Sequence, residues 1–259
     1  MDSAVFRNLV RHEFKRKGSW RRQSRSHITK GWWMVYSLLV LISLVGTATY
    51  FAINNSLQLD SIWFVTMGFP YMVFFLGLNA VKREWENDTY GWWLTMPYPR
   101  KLLISTKWLV VWLKIWVGIV FAFVIASVYV LILSLTLPYY SLDSVVSFMI
   151  AGVNWLSLVA GLSPLIIALG ILTATVQKSI LRPISPVLWI VFMTGFSLIY
   201  QTSDRIFPGY MDGSETTLNI SHAWFPFSWE LPVIMGLSWI LTYVVLRFAA
   251  HLLEKKLDL

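Results

Sequence analysis

The chain has 259 residues, of which 57% are hydrophobic, 16% aromatic and 13% charged, and its formal net charge is +8. This charged fraction is about half that of an ordinary soluble protein, which excludes the soluble globular, fibrous and disordered classes. The absence of Cys also excludes disulfide scaffolds, thiolate nucleophiles and Cys-based metal sites. The composition predicts an all-α, polytopic membrane protein, because a helix satisfies its own backbone hydrogen bonds in lipid and an open strand does not.

The N-terminal segment, residues 1–31, is cytoplasmic in our prediction and rich in Lys and Arg. Phe6, Leu9, Val10 and Phe14 recur at helical spacing, which predicts an amphipathic helix at the membrane interface. A disordered basic arm is the alternative. The basic region is too long for a cleaved signal peptide, and no A-x-A site follows the first apolar run.

The remainder of the chain, residues 32–259, is predicted to be a single transmembrane domain. A hydrocarbon core of about 30 Å requires roughly 20 apolar helical residues, and six segments are long enough. These segments are 32–53, 61–81, 108–137, 145–176, 184–200 and 231–252. We expect six transmembrane helices, with a connector at 82–107 and an outer loop at 201–230.

The basic residues lie almost entirely on one side of this predicted topology. Nineteen of the 21 Lys and Arg residues fall in the N-terminal segment, the connector 82–107, the turn after the fourth segment, or the C-terminal region. The positive-inside rule therefore places both termini in the cytoplasm of a multi-pass protein of the cell membrane. Anionic lipid explains the basic N-terminal segment better than nucleic acid does. We expect membrane lipids as partners and no nucleic acid.

The connector 82–107 reads KREWENDTYGWWLTMPYPRKLLISTK and differs from an ordinary loop. We expect Glu84, Glu86 and Asp88 to begin a helix, where carboxylates are favourable. A dense aromatic and apolar patch follows and is ended by Pro97. Such a patch indicates either a protein docking surface or a set of rings resting among lipid headgroups.

Several residues of this connector recur in a recognisable order: Glu84, Glu86, Thr89, Leu94, Pro97, Arg100 and Lys107. This order resembles the signature of ABC-2 type transporter permeases, the membrane subunits of bacterial ABC exporters. In that family an acidic segment with Gly-Thr precedes a Leu-x-x-Pro-x-x-Arg turn, and Asp88 departs from the pattern because it replaces the Gly. The six-span layout with cytoplasmic termini is also similar, and it implies a type V exporter-like fold.

The resemblance implies that the connector is a coupling helix that docks a separate cytoplasmic ABC ATPase, present as a dimer in the complex. The ATPase-interface residues it implies are Glu84, Glu86, Thr89, Trp92, Trp93, Leu94, Met96, Pro97 and Arg100. The aromatic and apolar side chains would insert into a groove of the partner, and the charged ones would pair with it. A second permease subunit, identical or homologous, would complete the translocation pathway.

The chain is not expected to be an enzyme or to bind a cofactor itself. A phosphate-binding P-loop needs Gly followed by Lys, and no Gly in this sequence is followed by Lys. ATP and Mg²⁺ would therefore belong to the partner subunit. The four His residues show no metal-binding spacing, so we expect no metal site.

Other functional classes fit the sequence less well. An intramembrane enzyme or an ion-coupled transporter would need ionisable groups inside the spans. Lys114 and Arg247 lie close enough to the inner ends of their segments to extend to the headgroups. The alternative function is a non-transporting membrane protein of an immunity or signalling system that docks a cytoplasmic partner through the same connector.

The fourth segment is the one most interrupted by small and polar residues. Asn154, Ser157, Gly161 and Pro164 lie there within a dozen residues. Small residues permit close helix contact, and a polar Asn either bonds across helices or lines a cavity. These four residues are candidates for helix packing or for contact with a transported substrate.

Overall fold

The computed structural model describes residues 3–15, 30–203, 224–225, 227 and 229–255, and every regular element in them is helical. Apolar runs of this length form helices because a helix satisfies its own backbone hydrogen bonds. Short 3-10 helices cover Leu59–Gly68 and Arg182–Ile184. The α-helices are α1 (Ser3–Lys15), α2 (Lys30–Ile53), α3 (Phe69–Glu86), α4 (Tyr90–Thr95), α5 (Arg100–Thr136), α6 (Leu142–Val176), α7 (Ser185–Ser203) and α8 (Glu230–Lys255).

Among the described residues, five helical segments are long and apolar enough to cross a membrane. They lie in α2, in the first 3-10 helix together with α3, in α5, in α6 and in α8. The all-helical prediction and five of the six predicted segments are thus confirmed at this level. The predicted segment 184–200 does form a helix, α7, but α7 is not among the five. The outer loop 201–230 lies mostly outside the described residues.

Two helices extend beyond the apolar segments that predicted them. The helix predicted to begin at residue 108 begins at Arg100, and the one predicted to end at residue 81 continues to Glu86. Polar residues support a helix outside the bilayer, and the Lys82–Glu86 ion pair at i,i+4 spacing stabilises the last turns of α3. The non-helical parts of the connector are consequently confined to residues 87–89 and 96–99.

The core is built around α6, which packs on α3, α5 and α8. Its contact with α3 depends on glycine, because a Cβ on Gly77 would lie 2.5 Å from the carbonyl oxygen of Ile167. The indole of Trp63 fits against Gly152 and donates to the carbonyl of Phe148 at 2.9 Å. Gly77 brings the backbones of α3 and α6 close together, as small residues commonly do within membranes, and Gly152 leaves room for the Trp63 ring.

In contrast, α2 stands at the edge of the bundle. Only 6% of its most apolar stretch is buried. Its attachment lies near its C-terminal end, where the hydroxyls of Thr49 and Tyr129 are 2.9 Å apart and the hydroxyl of Tyr140 donates to the carbonyl of Ala52 at 3.5 Å. An apolar helix exposed in this way suits a lipid environment.

The helices place the cations of the described residues at one end of the bundle. At this end α3 and α6 finish and α5 and α7 begin, so that Lys82 and Lys178 line a common cavity. Asp60, Asp143 and Glu230 lie at the starts of elements at the opposite end. We call the first end the basic end, and the positive-inside rule predicts that it faces the cytoplasm.

Candidate functional site

The connector at the basic end folds as a short helix between two turns. After α3, Asp88 adopts a left-handed backbone conformation with φ of 54°, and Thr89 precedes the first residue of α4. Asp and Asn enter this conformation at lower cost than most residues, and glycine enters it without cost. The departure at Asp88 from the permease pattern therefore falls at a position where the backbone favours glycine.

A buried ion pair joins the two long helices beside this connector. The ammonium of Lys107, in α5, lies 2.6 Å from Oε1 of Glu84, in α3. The two residues are only 4% and 2% exposed. A buried pair of this kind is retained only with good geometry and further hydrogen bonds.

Residues from the connector and the N-terminus complete the polar contacts of this pair. The hydroxyl of Thr89 donates to Oε2 of Glu84 at 2.5 Å, and the ring of Trp93 covers the Lys107 ammonium, with its centroid 5.2 Å away. The carboxylate of Glu13, in α1, lies 3.3 Å from the same ammonium. We call Glu84, Thr89, Trp93 and Lys107 the connector cluster. It joins the start of α4 to α3 through Thr89, and α4 to α5 through Trp93.

The amphipathic helix predicted near the N-terminus is present as α1, and it packs against α5. Besides the Glu13 contact, the ammonium of Lys114 lies 5.6 Å from the ring centroid of Phe14. The predicted alternative of a disordered arm is therefore wrong for residues 3–15. Residues 16–29 lie outside the described part of the chain.

The structure corrects the role predicted for two acidic residues. Glu84 and Glu86 do not begin a helix but lie in the last turn of α3. Glu84 is enclosed in the connector cluster, and Glu86 lies 3.1 Å from the ammonium of Lys82. The polar end of α3 stays helical because these intramolecular pairs hold it. Glu84 pairs within the chain in this structure, and its predicted pairing with a partner stays a prediction.

The aromatic residues of α4 divide into an exposed and a buried group. Trp92 is 82% exposed, whereas Trp93 is 4% exposed. Adjacent residues of a helix point about 100° apart, so the two rings have different surroundings. Leu94 and Met96 are half-buried and Pro97 is exposed. Of the two rings predicted to insert into a partner, only that of Trp92 faces outward in this structure.

Arg100 begins α5 after the exposed turn that contains Pro97. Its side chain is half-buried, and within the described residues its Nη1 atom is buried without a hydrogen-bond partner. The guanidinium has five N–H donors and no acceptor, so this buried nitrogen leaves part of its hydrogen-bonding capacity unused.

The four candidate residues of α6 are engaged in packing. Oδ1 of Asn154 accepts a hydrogen bond from the backbone N–H of Phe225 at 2.9 Å, and the hydroxyl of Ser157 donates to the carbonyl of Asn154. Gly161 lies against the side chain of Met235. The carbonyl of Pro164 accepts from the indole of Trp108 at 3.0 Å. Of the two roles predicted for these residues, these contacts correspond to helix packing.

A small polar cavity of about 110 Å³ adjoins the connector cluster, with Glu13, Arg83 and Lys114 among its lining residues. Its volume is sufficient for ordered water. Among the described residues, no group of three or more His, Asp or Glu side chains is placed to hold a metal ion. The arrangement can position charge and transmit displacement between helices.

Sequence reasoning identified the connector but missed the participation of Glu13 and the burial of Lys107. A signal was available in the sequence, because Lys107, Glu13 and Glu84 occur in segments that are all predicted to meet at the cytoplasmic side.

No family model, no curated protein and no solved structure matches the chain.

Proposed function

We propose that the chain is the permease subunit of an ABC exporter, and that it docks a separate ATPase through α4. The observation that supports this most is the combination of an exposed Trp92 with a firmly anchored α4. Exposed aromatic residues that stand on rigid elements are typical anchors of protein interfaces.

The anchoring of α4 suits the transmission of motion. Displacement of α4 acts on α3 through Thr89 and Glu84, and on α5 through Trp93 and Lys107. A flexible loop would absorb such a displacement instead of conveying it. Both α3 and α5 belong to segments long enough to cross the bilayer, so a push on α4 would tilt two spans together.

In this proposal the partner binds and hydrolyses ATP, and this chain forms the translocation pathway. The ATPase subunits would hold ATP and Mg²⁺ and close on nucleotide binding. A second permease subunit, identical or homologous, would face this one, and six spans with both termini in the cytoplasm would include α7. The two halves would then rock between inward-facing and outward-facing states.

The test is co-purification of the full chain from native membranes in mild detergent, followed by photolabelling with a reactive ATP analogue. We expect a nucleotide-labelled polypeptide to accompany the wild-type chain, and Trp92→Ala to reduce its yield at least tenfold. Trp229→Ala is the matched control, because Trp229 is also exposed but precedes α8 at the opposite end. Equal recovery with all three chains, or no labelled polypeptide with any of them, would contradict the proposal.

A further inference from the structure

A second cavity at the basic end lies away from the connector cluster, between the ends of α3 and α6 and the start of α7. Its volume is about 860 Å³. Three cationic side chains line it, those of Lys82, Lys178 and Arg182, and no acidic residue does. Among the described residues, Lys178 and Arg182 make no ion pair with a carboxylate.

The remaining lining residues divide into polar and apolar groups. Gln177, Ser179 and Ser185 provide hydrogen-bonding groups, and the first turn of the 19-residue helix α7 opens into the cavity at Ser185. The Ser185 N–H already donates to the carbonyl of Arg182 and Pro186 has no N–H, so the cationic and polar side chains are the groups that favour an anion here. Trp189 and Ile190, one to two turns further along α7, supply an apolar wall.

This order of groups matches the order of groups in a phospholipid. The cations stand at the end of the apolar helices, where a phosphate lies in a bilayer, and the apolar wall continues along α7 in the direction of an acyl chain. A free inorganic phosphate would use the cations but would gain nothing from Trp189 and Ile190.

We propose that this cavity binds the phosphate-bearing headgroup of an anionic phospholipid. Lys178 and Arg182 would contact the phosphate. Lys82 would also contact it after leaving its ion pair with Glu86, in which the two groups are 3.1 Å apart. Because Glu86 is the last residue of α3, the bound lipid would also bear on the turn that leads into α4. The proposal does not depend on the nature of the docking partner.

The test measures lipid binding to the delipidated full chain in detergent by native mass spectrometry. The probes are phosphatidylglycerol, phosphatidylcholine and inorganic phosphate, each titrated separately. We expect saturable binding of phosphatidylglycerol. We expect that binding to be about 30-fold weaker when Lys178→Gln and Arg182→Gln are combined, since each basic residue contributes roughly fivefold in affinity for an anionic headgroup.

The control variant combines Lys101→Gln with Lys255→Gln, which removes the same charge from the basic end outside the cavity. We expect this control to bind phosphatidylglycerol within about twofold of the wild-type chain, since its two charges do not line the site. Equal affinity for phosphatidylglycerol and phosphatidylcholine, or equal weakening in both double variants, would overturn the proposal. Phosphate binding without a preference for phosphatidylglycerol would also overturn it.

Discussion

We predict different losses of unfolding free energy for replacing the two members of the ion pair in the connector cluster, Glu84 and Lys107. Replacing Lys107 by Met removes the cation from a carboxylate, Glu84, that is 2% exposed. Breaking a buried pair in this way costs about 3–5 kcal/mol. Glu84→Gln should cost less, about 1–3 kcal/mol, because Lys107 retains Glu13 and the ring of Trp93, and Gln can still accept from Thr89.

The assay is the free energy of unfolding in mixed micelles, titrated with SDS and followed by Trp fluorescence. Lys114→Met is the control, because Lys114 lies two turns further along α5 and has the ring of Phe14 as its contact. We expect this control to lose about 1 kcal/mol or less. The chain with both Glu84→Gln and Lys107→Met should be more stable than the chain with Lys107→Met alone.

The pair would be energetically unimportant if Lys107→Met lost no more stability than Lys114→Met. A double variant whose loss equals the sum of the two single losses would likewise show that Glu84 and Lys107 are not coupled. Either result would refute the inference that this pair anchors α4 to the long helices.

Three further predictions concern the backbone and the topology. Gly77→Ala should cost about 1–3 kcal/mol of unfolding free energy, because the added methyl group would separate α3 from α6. Gly118→Ala is the control and should be neutral or stabilising, because the space around Gly118 is open. Equal effects of the two changes would show that the close approach is absent. Asp88→Gly should raise the unfolding free energy by up to about 1 kcal/mol by relieving its left-handed backbone, and a loss above that amount would contradict this. A membrane-impermeant maleimide should label Ser56→Cys on intact cells but leave Thr95→Cys unlabelled, and the reverse pattern would invert the proposed orientation.

The length of apolar runs was sufficient to predict most of the helical framework. Residues 32–53 and 145–176 correspond closely to α2 and α6, because a membrane span is an intrinsic property of its own segment. The early start of α5 could not be predicted in this way, since residues 100–107 are partly polar and form helix outside the apolar run. Hydropathy identifies the part of a helix that suits lipid, but it does not show how far the helix continues outside the lipid.

The interior of the candidate site depended on packing that the sequence does not encode locally. Glu84 and Lys107 are 23 positions apart, and their contact requires α3 and α5 to meet at one angle and register. The same packing decides that Trp93 covers Lys107 while Trp92 faces outward. The pattern of neighbouring Trp residues indicated an aromatic surface but could not show which of the two rings is buried.

The central claim is that a nucleotide-binding subunit docks on the exposed face of α4. It is tested most directly by replacing Trp92 with the photo-crosslinking residue p-benzoylphenylalanine in native membranes, with the same replacement at Trp229 as the control. The crosslinked product from position 92 is predicted to contain a polypeptide that a photoreactive ATP analogue also labels, and the product from position 229 is predicted to lack it. Crosslinks from position 92 to lipid alone, or solely to another copy of this chain, would contradict the claim.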